Sequence, residues 1–305
     1  MNTIRINHHH SRQPGARVVV PESIANKMVS DYGKRATVEQ LVSRYGYGGA
    51  VVRRTLVSRN VRMRTFGEHC KKHTLNEQYF DVIDSYEKAY ILGFIYADGN
   101  VYRTKPDTLT FQIKLQIRDR SVVELIRKAF ESSHPIFTFK SKTSLSKKVS
   151  KIVGLTICNK RFCQGLIRAG SVPCKSLILD FPDTSIVPER YLGAFVLGYF
   201  DGDGSVVHNT KTRRWTMNLC GTDEFLTGLS LYLQQTYGMP PPKLYHHRNQ
   251  SINMYRMGWC GGTTDQGLVR SRAFWYIYHL LYDGHNLGLP RKKHHMDSIV
   301  PYYKP

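Results

Sequence analysis

Two stretches of the chain are apolar almost without interruption, and each stops abruptly on acid and glycine. Ala89–Ala97 closes on Asp98-Gly99, and Leu192–Phe200 runs into Asp201-Gly202-Asp203-Gly204. Laid over one another, Gly93 meets Gly198, Ala97 meets Gly202 and Asp98 meets Asp203. Such runs predict helices that are buried all round. After each the pattern changes to alternation. Leu109, Phe111, Ile113, Leu115 and Ile117 alternate with Thr110, Gln112, Lys114, Gln116 and Arg118, and Trp215, Met217 and Leu219 alternate with Arg214, Thr216 and Asn218. Period two predicts a strand with one buried and one polar face. Each strand meets an acid and then an amphipathic helix, at Asp119 and Asp223, 21 and 20 residues beyond the motif acid. Further strands are predicted over Ile136–Lys140, Lys151–Cys158, Lys243–Arg248 and Ile252–Trp259. Each half then closes on a helix and a Pro-x-Lys, Pro173-Cys174-Lys175 and Pro290-Arg291-Lys292. One α-β-β-α-β-β-α unit is therefore written twice, over residues 77–182 and 183–305, and the fold class is α+β.

The N-terminal quarter is different. Residues 1–20 show no sustained period and read as a flexible basic tail holding His8, His9 and His10. From Thr37, Val38, Leu41 and Val42 recur at helical spacing until Tyr45-Gly46-Tyr47-Gly48-Gly49 breaks the helix. A second amphipathic stretch, Ala50–Arg59, places Val51, Val52, Leu56 and Val57 inward and Arg53, Arg54 and Arg59 outward. Helix, glycine turn and basic helix is a helix-turn-helix layout, expected over residues 21–76 together with a linker.

Charge points to the partner. Lys and Arg number 44 against 23 Asp and Glu, a net +21, and residues 1–76 alone carry 14 basic and 4 acidic side chains. That excess suits a polyanion, whose condensed counterions are released when phosphates are neutralised. Nucleic acid is favoured over an anionic membrane, because the apolar runs are about half the ~20 residues a spanning helix requires. No apolar core of a signal peptide opens the chain, so a cytosolic or nucleoid-associated protein, or a nuclear or organellar one, is expected. Six cysteines without CxxC or Cys/His zinc spacing read as reduced thiols.

Small residues four apart let a second helix approach closely, which Gly93/Ala97 and Gly198/Gly202 provide on both copies. Packed there, the copies bring Asp98 and Asp203 together at one end, where two carboxylates repel unless divalent cations intervene. Mg²⁺ binds through one or two carboxylates plus substrate phosphates, and two ions can activate water and stabilise a leaving oxygen. Asp201-Gly-Asp203-Gly-Ser205 starts like a calcium loop but fails at the sixth and twelfth positions, Val206 and Thr212.

ILGFIYADG (91–99) and VLGYFDGDG (196–204), with FDVIDSYEKAY (80–90) leading into the first, resemble the two motifs of the LAGLIDADG homing endonucleases. The similarity covers about residues 77–305, and TVEQLVSRYGYGGAVVRRTLVSRNVRMR (37–64) resembles the helix-turn-helix of recombinases and regulators. The resemblance implies that Asp98 and Asp203 bind Mg²⁺, with Mn²⁺ able to substitute, and that the carbonyls of Ala97 and Gly202 are secondary ligands. It implies active-site lysines at Lys175 and Lys292, with Lys293 the alternative to the latter. It further implies a β saddle on the major groove, with Gln112, Lys114, Gln116, Arg118, Arg214, Lys243, Arg248 and Arg256 as DNA contacts, joined by Arg53, Arg54 and Arg59 of the N-terminal module. The copies depart from one another at Tyr96 and Asp201; Tyr96 is assigned to packing. The expected function is metal-dependent cleavage of both strands of a long asymmetric DNA target by a monomer engaged in intron homing. The competing expectation is a non-cleaving regulator or a maturase that binds intron RNA.

Overall fold

The computed structural model describes residues 18–34, 36–64, 72–142, 149–209, 211, 214–246, 252–261 and 265–299, so most of the expected N-terminal tail lies outside the described residues. The chain divides into two compact units between Lys72 and His73.

The described residues of the first unit form three helices, α1 (Glu22–Gly33), α2 (Val38–Tyr45) and α3 (Gly49–Val57). Thr37 starts α2 with a reciprocal cap: its Oγ1 accepts from the Gln40 N–H (3.2 Å), and the Gln40 side chain accepts from the Thr37 N–H (2.8 Å). Gly46, at φ +75°, ends α2 in the left-handed conformation a glycine adopts freely, and Gly48 opens α3 two residues on. Helix α1 has no counterpart in the sequence reading, yet it supplies Met28 and Tyr32 to a core completed by Val38, Leu41, Val52 and Leu56. Asp31 of α1 accepts hydrogen bonds from Arg44 and Tyr45 of α2. Val57, expected inward, is 56% exposed, and Thr55 is buried instead. The reason is angular: Val52, Thr55 and Leu56 form the i, i+3, i+4 stripe, and Val57 lies about 100° beyond it.

The second unit is the duplicated one. Helix α4 (Tyr86–Asp98) is followed by β1 (Gly99–Lys105), β2 (Thr108–Gln116), α5 (Arg120–Ala129), β3 (Ile136–Lys142), β4 (Val149–Cys158) and α6 (Lys160–Arg168). The second copy runs α7 (Glu189–Asp203), β5 (Gly204–Asn209), β6 (Arg214–Gly221), α8 (Asp223–Tyr237), β7 (Leu244–His246), β8 (Tyr255–Cys260), α9 (Asp265–Tyr282) and α10 (Pro290–Ile299). Each copy makes a four-stranded antiparallel sheet, ordered β1-β2-β4-β3 and β5-β6-β8-β7. The registers match: Gly99 pairs with Ile113 as Gly204 pairs with Leu219. A single apolar core, from Tyr79 to Met296, runs through both copies.

Several expected boundaries shift. Ile117 and Arg118 leave the strand for a 3-10 turn, Ile117–Asp119, so Ile117 is exposed, while Thr110 on the nominally polar face is buried. Strand β7 starts only at Leu244 because Pro240, Pro241 and Pro242 precede it without N–H donors, leaving Lys243 outside the strand. Arg248 lies outside the described residues, and β8 begins at Tyr255 rather than Ile252. Pro290 opens a full helix, whereas Pro173 leads only into a 3-10 turn, Lys175–Leu177.

Candidate active site at the paired helix ends

Helices α4 and α7 cross at their small residues, with backbone against backbone. A Cβ on Gly93 would fall 1.9 Å from the Phe195 carbonyl oxygen, and one on Gly198 would fall 2.0 Å from that of Tyr90. Further along, a Cβ on Gly202 would meet the Ala97 Cβ at 2.3 Å and Asp98 Oδ2 at 3.1 Å. The four residues singled out for close approach therefore do make it, and the helix ends carrying Asp98 and Asp203 lie side by side.

Both carboxylates remain open to solvent. The protein packed around them nevertheless removes part of their hydration and holds each above the ordinary carboxylate range. Asp98 is pushed up to about 6, first by that desolvation and then by the charge of Asp203. Asp203 is raised for the same first reason, while Lys175 and Lys292 pull it back.

Those two lysines are buried, at 6% exposure each, and neither is a surface cation. The Lys175 ammonium donates to the carbonyls of Tyr96 and Ala97 at the end of α4. The Lys292 ammonium donates to the carbonyls of Phe200 (2.6 Å), Asp201 (2.7 Å) and Gly204 (2.6 Å) at the end of α7. Cations placed there satisfy the last carbonyls of each helix and its negative dipole end. Burial lowers both lysines, Lys292 to about 8, against the raising effect of the nearby carboxylates. Lys293 turns away to Asp297 (2.9 Å) and the Tyr278 hydroxyl (3.3 Å), so Lys292 is the residue aimed at the helix end. The Ala97 carbonyl already accepts from Lys175.

The mismatch of Tyr96 with Asp201 inside the motif has a common outcome. The Tyr96 hydroxyl donates to the Ala169 carbonyl (2.7 Å), just ahead of Pro173. Asp201 Oδ2 accepts from the Leu289 N–H (2.7 Å), just ahead of Pro290, and from the Tyr90 hydroxyl (3.0 Å). A donor in one copy and an acceptor in the other thus tether the segment that carries the lysine. Asp201 is 1% exposed, its Oδ1 has no hydrogen-bond partner, and burial pushes it up to about 6. A contact absent from the sequence reading is that of Asp119, 9% exposed, which accepts two hydrogen bonds from the Arg291 guanidinium at 3.2 Å each. The acid at the strand end was visible in the sequence; its partner, from the other copy, carried no local signal.

The residues fit a hard divalent cation in one particular way. Among the described residues no group of three or more His, Cys, Asp or Glu side chains is placed to hold a metal. Two oxygen-bearing side chains with open outer faces suit Mg²⁺, which takes one or two carboxylates and fills its shell with phosphate and water. A cavity of about 180 Å³ adjoins Asp203 and Lys175 and is also lined by Tyr96, Tyr199, Cys220 and Thr222.

The expected DNA contacts are distributed over both sheets. Gln112, Lys114 and Gln116 lie on the open face of the first sheet, where Gln112 donates to Thr156 Oγ1 (2.9 Å) and the other two are exposed. Arg118 is exposed but on the 3-10 turn, 3.7 Å from Asp119. Arg214 and Arg256 are exposed on the second sheet, and Lys243 and Arg256 both stand over the Tyr245 ring at 5.4 Å. In the first unit Arg53 and Arg54 are exposed on α3, whereas Arg59 lies past its end, paired with Glu22 at 2.7 Å.

No family model matches the chain, and no curated protein does. Among solved structures, the homing endonuclease I-WcaI bound to its DNA recognition sequence matches with 13% identity and a TM-score of 0.46, over 72% of this chain and 91% of that one. The I-SmaMI LAGLIDADG homing endonuclease bound to cleaved DNA matches with 11% identity and a TM-score of 0.41, over 71% and 88%. The N-terminal LAGLIDADG domain of DUF199/WhiA matches with 16% identity and a TM-score of 0.37, over 77% and 98%. The structural neighbours of this chain thus include LAGLIDADG homing endonucleases, the family its two motifs resemble.

Proposed function

We propose that this chain is a site-specific double-strand DNA endonuclease of the homing type, acting as a monomer with Mg²⁺ or Mn²⁺. The observation that carries the reading is the pairing of Asp98 and Asp203 at the ends of two glycine-packed helices, each end backed by a buried lysine. In this role Asp98 and Asp203 hold divalent cations, which when bound supply Lewis acidity at the scissile phosphates. The carbonyl of Gly202 is a further ligand on the α7 side, while Ala97's first duty is to Lys175. Lys175 and Lys292 keep the two carboxylates ionised and add positive charge where phosphate charge must be tolerated. The open faces of the two sheets bind the duplex, with Gln112, Lys114, Gln116, Arg214 and Arg256 facing bases and Lys243 and Arg118 facing phosphates. Because the two faces differ in sequence, the target is asymmetric. The N-terminal unit extends the contact through Arg53 and Arg54.

The test is cleavage of a randomised duplex library with Mg²⁺, beside the Asp98→Asn/Asp203→Asn variant. Metal-dependent cuts at one long site, absent from the variant while binding persists, are the expected result. Site-enriching binding without cuts in Mg²⁺ or Mn²⁺ would replace this reading with a regulator or an intron-RNA maturase. In the same assay Arg53→Ala/Arg54→Ala should weaken binding and flatten its salt dependence; an unchanged affinity and slope would remove the first unit from the interface.

A further inference from the structure

The open face of the first sheet is not uniformly polar. Directly opposed residues in antiparallel strands project to the same side. Two rows therefore cross the sheet, Lys114 to Gly154 to Phe137 and Gln116 to Ile152 to Phe139. The two phenylalanine rings stack with centroids 6.0 Å apart and planes 28° apart, and Phe139 is 41% exposed. Gly154 makes room for this: a Cβ there would lie 2.6 Å from Phe137 Cζ, so the ring closes against the β4 backbone. The matched register of the second sheet puts Tyr245 and Arg256 where Phe137 and Gly154 stand, and there the ring lies beneath two cations. On this face one sheet edge is apolar and its counterpart is charged.

Exposed aromatics on an edge strand invite self-association unless something opposes it. Here Lys114 stands exposed on the same face as the pair and attracts a polyanion, while Lys140, Lys142 and Lys151 stand exposed on the other face of the same edge and repel a second copy. The occupant must therefore present an apolar group on a phosphate-bearing scaffold. On the major-groove edges of bases that group is the C5-methyl of a pyrimidine.

We infer that Phe137 and Phe139 read pyrimidine C5-methyl groups, those of thymine above all, in one half of the DNA target. The inference rests on the proposed duplex binding by the open sheet faces. It makes the first sheet a reader of methyl groups where the second offers an arginine.

The test uses the full chain and the duplex it selects from the library. Thymines are replaced one at a time by deoxyuridine, which removes only the methyl, and affinity is measured at fixed salt. One or two positions, confined to one half of the site, should bind about fourfold more weakly, the size expected for one buried methyl. At those positions Phe137→Ala/Phe139→Ala should bind thymine and uracil duplexes equally, while Phe139→Ala alone reduces the difference and Tyr245→Ala preserves it. A wild-type chain indifferent to every deoxyuridine, or a difference that survives the double variant, overturns the inference and leaves duplex binding standing. Failure to bind any duplex overturns both.

Discussion

The two copies of the repeat differ most where they resemble each other in purpose, at the segments that deliver the lysines. Lys292 sits near the start of a ten-residue helix, next to an Arg291 that is clamped to Asp119 of the other copy. Lys175 sits on a single 3-10 turn, next to a Cys174 held at φ +60°, in the left-handed region that a side chain occupies at a cost. One lysine is secured by a full helix and an ion pair, the other by a short turn that carries backbone strain. Equal chemistry at the two helix ends therefore does not mean equal rigidity, and a scaffold that is symmetric in its helices is asymmetric in its supports.

The part common to both copies should give the largest effect when broken. Gly93→Ala and Gly198→Ala each force a methyl into a carbonyl of the facing helix, so each should cost about 3 kcal/mol or more in denaturant unfolding. Near-equal losses would confirm that the helix crossing is the shared element; a loss below about 1 kcal/mol at either site would contradict the close approach.

The Tyr96 and Asp201 tethers separate the copies by pH. Asp201 is raised to about 6 in the folded protein, so the folded state binds its proton more tightly than the unfolded chain does. Its contribution to stability is present below the ordinary carboxylate value near 4 and is lost as pH rises to about 6, worth up to about 3 kcal/mol across that window. Asp201→Asn should reduce that slope, leaving the part due to Asp98 and Asp203, and Tyr96→Phe should leave it intact while lowering stability by about 1 kcal/mol at every pH. An unchanged slope in Asp201→Asn would show that this carboxyl is not the group responsible.

A smaller contrast lies in the lysine supports. Arg291→Ala leaves the largely buried Asp119 without its bidentate partner and should cost about 1–2 kcal/mol, discounted because the guanidinium is partly exposed. Smallest is Cys174→Gly, which relieves the left-handed backbone and should raise stability by about 0.5 kcal/mol in the same unfolding measurement. A destabilised Cys174→Gly would mean that the turn is held by its side chain and not strained by it.

The duplication, the helix-closing acids and the Pro-x-Lys lysines were legible because each is a local pattern repeated at matched spacing. What was not legible depends on chemistry that changes identity or crosses the copies. Tyr96 and Asp201 share a position and a task, but a phenol and a carboxylate give no common letter to recognise. Asp119 and Arg291 are 172 positions apart, beyond any periodic signal. Arg118 was placed on a strand because alternation continues through Ile117, yet the chain turns for α5 first. Helix α1 escaped because its buried residues, Ala25, Met28 and Tyr32, are too few and too mixed to stand out beside the glycine-punctuated pair that follows.

The contact between Gly93 and Gly198 also bears on how the molecule is made. Each sheet is built from strands that are near neighbours in the chain, whereas this contact joins helices from opposite copies, roughly a hundred residues apart, and closing so long a loop precedes any gain from it. The carboxylates therefore meet only once both copies have largely taken shape. Refolding followed from the α4 and α7 ends should lag behind the growth of sheet signal, and a chain emerging from synthesis would carry the strands of the first copy long before Asp98 and Asp203 could meet.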